Sequence, residues 1–143
     1  MRPRRAVRVL LVDPDGRVLL FGAVDEDDGR RFWFPAGGGL EDGEDERAAA
    51  RREVLEETGH VLEDVGVEVW QRRHAFTWRG VDHDQRERWF LARVPAFAPR
   101  GAGLTAAERS DLLPPRWWSL AELEATADRL VPDDLAARLR ALL

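Results

Sequence analysis

The sequence predicts an α/β fold in three layers, and three observations predict it: two β-rich runs joined by a tight turn near the N-terminus, a charged stretch at 42–59 bounded by helix start and stop signals, and two further helical patterns near the C-terminus. With 143 residues, 16.3 kDa and 44% apolar side chains, the chain is expected to form one compact domain over 1–143, large enough for a real core.

Taken in order, Val7 to Val12 carries apolar residues on both faces, and Val18 to Phe21 repeats the pattern after Asp13-Pro14-Asp15-Gly16, so the two read as a hairpin with Gly16 supplying the turn. Residues 25–31 form a polar loop into Phe32-Trp33-Phe34, and the glycines at 37–39 open a second loop. The helix that follows begins within Asp42–Asp45 and stops at Gly59. Val65–Trp70 and Trp89–Val94 read as strands, and Ser119-x-x-Glu122 is a capping box for another helix. A last helix, after Pro132, carries Leu135, Leu139 and Leu142 on one stripe. Internal repeats and long linkers are absent.

Composition excludes several kinds of chemistry. There is no cysteine, hence no disulfide, thiolate metal site or Cys nucleophile. All 22 basic residues are arginine, which excludes a P-loop lysine, a Schiff base and a kinase-type lysine. Neither Ser110 nor Ser119 sits in a Gly-x-Ser-x-Gly setting, so a serine hydrolase is not expected. Apolar runs fall short of membrane-spanning length and residues 1–12 lack the apolar core of a secretory signal, so an intracellular, cytoplasmic location with no membrane partner is expected. A net charge of −5 argues against general affinity for nucleic acid, while local arginine clusters remain able to hold a small polyphosphate.

The most informative stretch is Gly38-x5-Glu44-x7-Arg52-Glu53-Val54-Leu55-Glu56-Glu57-Thr58-Gly59. At 100° per residue, Glu53, Glu56 and Glu57 fall within an arc of roughly 100°, with Ala49 between them. Glu53 and Glu57 are a like-charge i,i+4 pair, which an ordinary solvated helix avoids. A bound hard cation relieves the repulsion.

That spacing resembles the signature of the Nudix family of nucleoside diphosphate hydrolases at every fixed position but the last, where His60 replaces the usual aliphatic residue. Weaker likeness extends through Trp33-Phe34-Pro35-Ala36-Gly37-Gly38-Gly39 and Arg116-Trp117-Trp118-Ser119-Leu120. The resemblance implies an α/β/α sandwich with a mixed sheet and metal-dependent hydrolysis of a pyrophosphate bond, water attacking phosphorus. Magnesium or manganese would be the cofactor, since hard ions select carboxylate and carbonyl oxygens. Glu56 and Glu57 would be the principal ligands, with backbone carbonyls of Gly37 or Gly38, and Glu53 a further ligand or the base for water. Glu44 would accept hydrogen bonds behind the ligands, and Arg52 would hold the carboxylates in place. A second acid from outside this stretch is common in the family, and Glu108 is preferred here over Asp111.

The partner implied is a small nucleotide or nucleotide derivative, and a homodimer is left open. The family's proline marker for ADP-ribose and tyrosine marker for diadenosine polyphosphates are both missing from His74-Ala75-Phe76-Thr77-Trp78. Trp33, Phe76 or Trp78 could stack a base, and Arg30, Arg31, Arg79, Arg86 or Arg88 could meet phosphate or ribose, with Trp33, Arg31 and Trp78 taken as the substrate-binding set. Two rivals stand beside this reading. One is a non-catalytic nucleotide-binding or sensor module of the same fold, which has no use for a repulsive acid cluster. The other is an isoprenoid-diphosphate isomerase of the same fold, whose chemistry resembles a family with an essential cysteine, and this chain has none.

Overall fold

The computed structural model describes residues 3–78, 80–99 and 112–143. In them β1 (Arg4–Val12) is the organising strand: Val7, Val9 and Leu11 face one core while Leu10 and Val12 face another, and all five are fully buried. A strand apolar on both faces has to be covered on both. The elements that cover and extend it are β2 (Val18–Val24), β3 (Arg31–Phe34), β4 (Ala36–Gly39), α1 (Glu46–Thr58), β5 (Val67–Trp78), β6 (Val81–Arg93), β7 (Leu112–Trp118), α2 (Leu120–Ala125), β8 (Arg129–Leu130) and α3 (Leu135–Leu142).

The sheet runs β5-β6-β1-β2-β3-β8, with β4 paired to β1 and β7 to β2. β1–β6 and β3–β8 are parallel and the other pairs antiparallel, so the sheet is mixed, as the resemblance implies. The expected hairpin forms, Val12 opposite Val18 and Gly16 at φ 79° in the turn. One face of the sheet packs Val7, Val9 and Phe90 against Ala49, Ala50 and Val54 of α1. The other packs Leu10, Leu20, Trp89 and Trp118 against Leu123 of α2 and Leu135 and Leu139 of α3. The result is three layers, helix on sheet on helix. Ser119 and Glu122 make the expected reciprocal cap of α2.

Three expectations are corrected. The glycines at 37–39 are not a loop but β4, which pairs with Ala6–Val9 of β1 because β2 leaves that edge after Val12↔Val18. Only glycine fits at Gly37, where φ is 149° and a Cβ would collide with the Val7 carbonyl. The strands expected at Val65–Trp70 and Trp89–Val94 lie instead at Val67–Trp78 and Val81–Arg93, longer at the hairpin end because polar residues on both arms pair across the β5–β6 ladder, Arg73 with Asp84 at 2.9 Å among them. Cross-strand ion pairs extended the hairpin where apolar alternation fails. Finally, Leu142 is not on the buried stripe of α3: Leu135 and Leu139 are buried, whereas Leu142, in the helix's last position, is 36% exposed.

Candidate active site on helix α1

Capping sets where α1 begins and ends. The Asp45 side chain accepts from Ala48 N–H at 2.8 Å, and Gly59, left-handed at φ 78°, donates its N–H to the Leu55 carbonyl. Burial of Ala49, Ala50, Val54 and Thr58 fixes the helix's rotation. Glu53 and Glu57 flank that stripe and are therefore turned toward the sheet, onto β4. Glu57 Oε1 accepts the Gly37 N–H at 2.8 Å. Glu53 lies so close to Gly38 that a Cβ on that residue would stand 2.5 Å from its Oε1. Glu56, on the outer rim of the same face, is more exposed, at 56%.

Arg52 ties the acids together. It donates to both oxygens of Glu44 at 2.8 Å, to Glu53 Oε1 at 3.0 Å, to Glu56 Oε2 at 3.4 Å and to the Gly39 carbonyl at 3.1 Å. The fork-shaped bond to Glu44 has the geometry in which guanidinium and carboxylate bind most strongly. Glu44 also accepts from the Glu41 N–H at 3.0 Å, so the loop before α1 is fastened to the helix through this carboxylate. Arg52 is thus far more than the i,i+4 surface partner of Glu56.

Glu44, Glu53 and Glu57 respond to their surroundings. The Arg52 hydrogen bond is the main reason that Glu44 is pulled down to about 2. Burial pushes Glu57 up to about 8; the Gly37 N–H pulls the other way, and the neighbouring charge of Glu53 adds to the rise. Glu53 is also raised, chiefly by burial, with Arg52 opposing. Arg52 itself is raised, first by its bond to Glu44. Two half-buried acids whose charge is costly stand beside one whose charge is secured, and this separation marks sites that handle cations or protons.

Among the described residues, no three acid or histidine side chains already converge on one point. Glu53 and Glu56 lean on Arg52, and Glu57 leans on the Gly37 N–H. The donor set nevertheless fits a hard divalent ion. It is all oxygen, it lies on one helix face, and its two inner members carry charge that burial disfavours, which a cation would restore.

The structure separates the remaining expectations. Trp33 is corrected: it is 5% exposed, its ring lies over Gly22 and edge-on to Trp118 at 5.0 Å, and its Nε1 donates to Asp128 at 3.0 Å, so it is a core residue that cannot stack a base. Strand alternation is the reason, for Phe32 and Phe34 take the other face beside Phe21. Arg31 is exposed at the start of β3, and no described contact brings it to the acids. Trp78 ends β5 opposite Val81 at the hairpin tip, its side chain outside the description. Glu108, Asp111 and Arg79 lie outside the described residues. His60 stacks on Phe97 at 4.5 Å and takes no part in the acid cluster.

Sequence reasoning missed a polar group on the opposite face, where Glu87 is 2% exposed amid Arg8, Arg72, Gln85 and Trp89. The signal was available: in Gln85-x-Glu87-x-Trp89-x-Leu91 every second residue points inward, and two of the four are polar.

Comparison with known proteins bears on the whole chain. The model of the NUDIX domain matches residues 2–139. A protein of Novosphingobium aromaticivorans named RNA pyrophosphohydrolase is 33% identical over 139 residues, 90% of this chain and 83% of that protein. Among solved structures, a MutT NUDIX hydrolase from Burkholderia pseudomallei superposes with a TM-score of 0.72 at 22% identity, covering 100% of both chains. The NUDIX domain of Shewanella oneidensis NrtR, complexed with ADP ribose, gives 0.71 at 16% identity over 99% of this chain and 89% of that one.

Proposed function

This chain belongs to the NUDIX domain family and is a pyrophosphohydrolase, and we propose that it cleaves a nucleoside diphosphate derivative with the help of a magnesium or manganese ion held on α1. The observation that carries the proposal is that Glu53, Glu56 and Glu57 share one helix face, Glu53 and Glu56 tied to Glu44 and β4 through Arg52 and Glu57 tied to β4 through the Gly37 N–H. A bound divalent ion would neutralise the diphosphate and acidify water near neutral pH. Glu56 and Glu57 would hold it, with a backbone carbonyl of Gly37 or Gly38.

The chain's own residues supply the rest. Glu57, fixed to Gly37 by one oxygen, keeps its other oxygen for the ion. Glu53 takes either of two roles: a further ligand, or the base that removes a proton from water, for which burial has already raised its affinity for protons. Arg52 holds Glu53 in place on one side and locks Glu44 in its charged form on the other, so the acid face keeps its shape when substrate arrives.

The test is hydrolysis of a panel of nucleoside triphosphates, nucleotide sugars, dinucleotides, capped RNA and 5′-triphosphorylated RNA, the last because relatives carry the name RNA pyrophosphohydrolase. Activity should vanish in chelator and return with magnesium or manganese. In labelled water the label should appear in one phosphate product. Full hydrolysis in excess chelator would sink the metal assignment.

A further inference from the structure

The face of the sheet opposite α1 is covered by α2 and α3 around Leu10 and Trp118, and beyond them it carries a polar group that the α1 chemistry leaves unused. Its centre is Glu87 of β6. Oε1 accepts from Trp89 Nε1 at 3.0 Å and from Arg72 Nη1 at 3.2 Å, while Oε2 accepts from Gln85 Nε2 at 2.7 Å and stands 3.6 Å from Arg8 Nε. Burial alone would raise the Glu87 carboxyl, but Arg8 first, and then the bonds from Gln85, Trp89 and Arg72, hold it below the usual carboxylate range. It is a buried negative charge held by four polar partners.

Two guanidiniums face this one carboxylate. Among the described residues, Glu87 engages one nitrogen of Arg8 and one of Arg72, which leaves two nitrogens of each for another anion. Both arginines are partly open to solvent, at 23% and 20%.

Their placement says which anion. Arg8 lies opposite Gly37 across the β1–β4 pair, and Gly37 is the residue that holds Glu57. Its charge is felt by Glu53 and Glu57 on one side and by His74 on the other. Arg72 and His74 line an open cleft of about 290 Å³ together with Phe32, Leu130 and Pro132, and with Arg129 and the acids Asp25 and Asp133 at its other side. Burial first, and then the neighbouring Arg72, keep His74 below its ordinary value, and its ring stacks on Phe76 at 4.8 Å. Arg8 and Arg72 therefore carry positive charge between the acid face and this cleft, where the charge of Arg129 is met by Asp25.

We propose that Arg8 and Arg72, preset on the buried carboxylate of Glu87, form an anion clamp for the substrate's phosphate chain beside the acid face, with the nucleoside in the cleft that Phe32 and His74 line. This rests on the reading of the chain as a pyrophosphohydrolase of a nucleotide derivative. Arg8 and Arg72 are binding residues; Glu87 is a positioning residue that acts through them.

The test pairs binding with turnover. Inorganic pyrophosphate, titrated calorimetrically in chelator so that no ion bridges it to α1, should bind the wild type and bind Arg72→Gln or Arg8→Gln at least about tenfold more weakly, the loss expected of a charge-assisted bond. On the best substrate of the panel, the same variants should raise KM by at least about tenfold with kcat changed less. Arg72→Lys should recover only part of the loss, since an ammonium carries the charge without the fork. Glu87→Gln should weaken pyrophosphate binding too, and adding it to Arg72→Gln should cost less than the separate effects imply, because both act through one clamp. Should Glu87→Gln fail to fold, the arginine variants, on partly exposed side chains, decide alone. Wild type that binds no pyrophosphate in chelator, or arginine variants with wild-type affinity and KM, would overturn the clamp. Wild type that binds pyrophosphate through these arginines yet hydrolyses nothing in the panel would sustain the clamp and sink the enzymatic reading instead.

Discussion

Gly38→Ala tests whether Glu53 acts by position. A Cβ at residue 38 would stand 2.5 Å from Glu53 Oε1, and ordinary contact begins near 3.4 Å, so the oxygen must retreat by about 0.9 Å (3.4 minus 2.5). The obstacle is the tip of a flexible side chain, the three nearest atoms all belonging to the Glu53 carboxylate, so β4 can stay where it is and the carboxylate moves. Backbone strain is not expected at this residue, and replacing Gly by Ala restricts the unfolded chain, which is worth about 0.4–1 kcal/mol in favour of the variant. Thermal or denaturant unfolding should therefore show Gly38→Ala as stable as wild type or slightly more so. Turnover should fall by about 10², the effect of a displacement near 1 Å in a reacting constellation. Unfolding and steady-state kinetics on the same preparation decide the matter. Wild-type turnover in a folded variant would show that the position of Glu53 is irrelevant, and a loss of several kcal/mol would show that Gly38 is there for the strand and not for the carboxylate.

Glu53→Gln should lower turnover by at least about 10² with substrate binding largely retained, measured as kcat against KM; unchanged kcat would remove Glu53 from the chemistry. In metal-free protein the proton on Glu57 is held more tightly in the fold, near 8 against an ordinary 4.5, so its stabilising contribution is full below about 4.5 and is lost as pH rises through 8. Glu57→Gln should therefore match wild type in chelator at low pH and exceed it by up to about 3 kcal/mol near neutral pH, as read by denaturant titration. A less stable variant would mean that the carboxylate has a structural partner. Leu139→Ala, in the core beneath α3, should cost about 2–5 kcal/mol while the folded fraction keeps its kcat, and a large fall in kcat per folded molecule would tie that face to the chemistry.

Much of the molecule was legible because its signals are local. The start and stop of α1 follow from Asp45 and Gly59, the first hairpin from Gly16, and the cap of α2 from Ser119 and Glu122, each a short-range bond between near neighbours. The shared face of Glu53, Glu56 and Glu57 follows from helical periodicity alone, and with Arg52 and Gly38 it identified the family. What the spacing could not reveal is what each group meets across the fold. Gly37–Gly39 became a strand because the edge of β1 needed a partner there, and Trp33 became core because alternation turned it toward Trp118. Glu87 lies 34 residues along the chain from Glu53; that it gathers Arg8 of β1 and Arg72 of β5 was decided only when β6 settled between those two strands, since ion pairs and buried charge depend on distances that the order of residues does not contain.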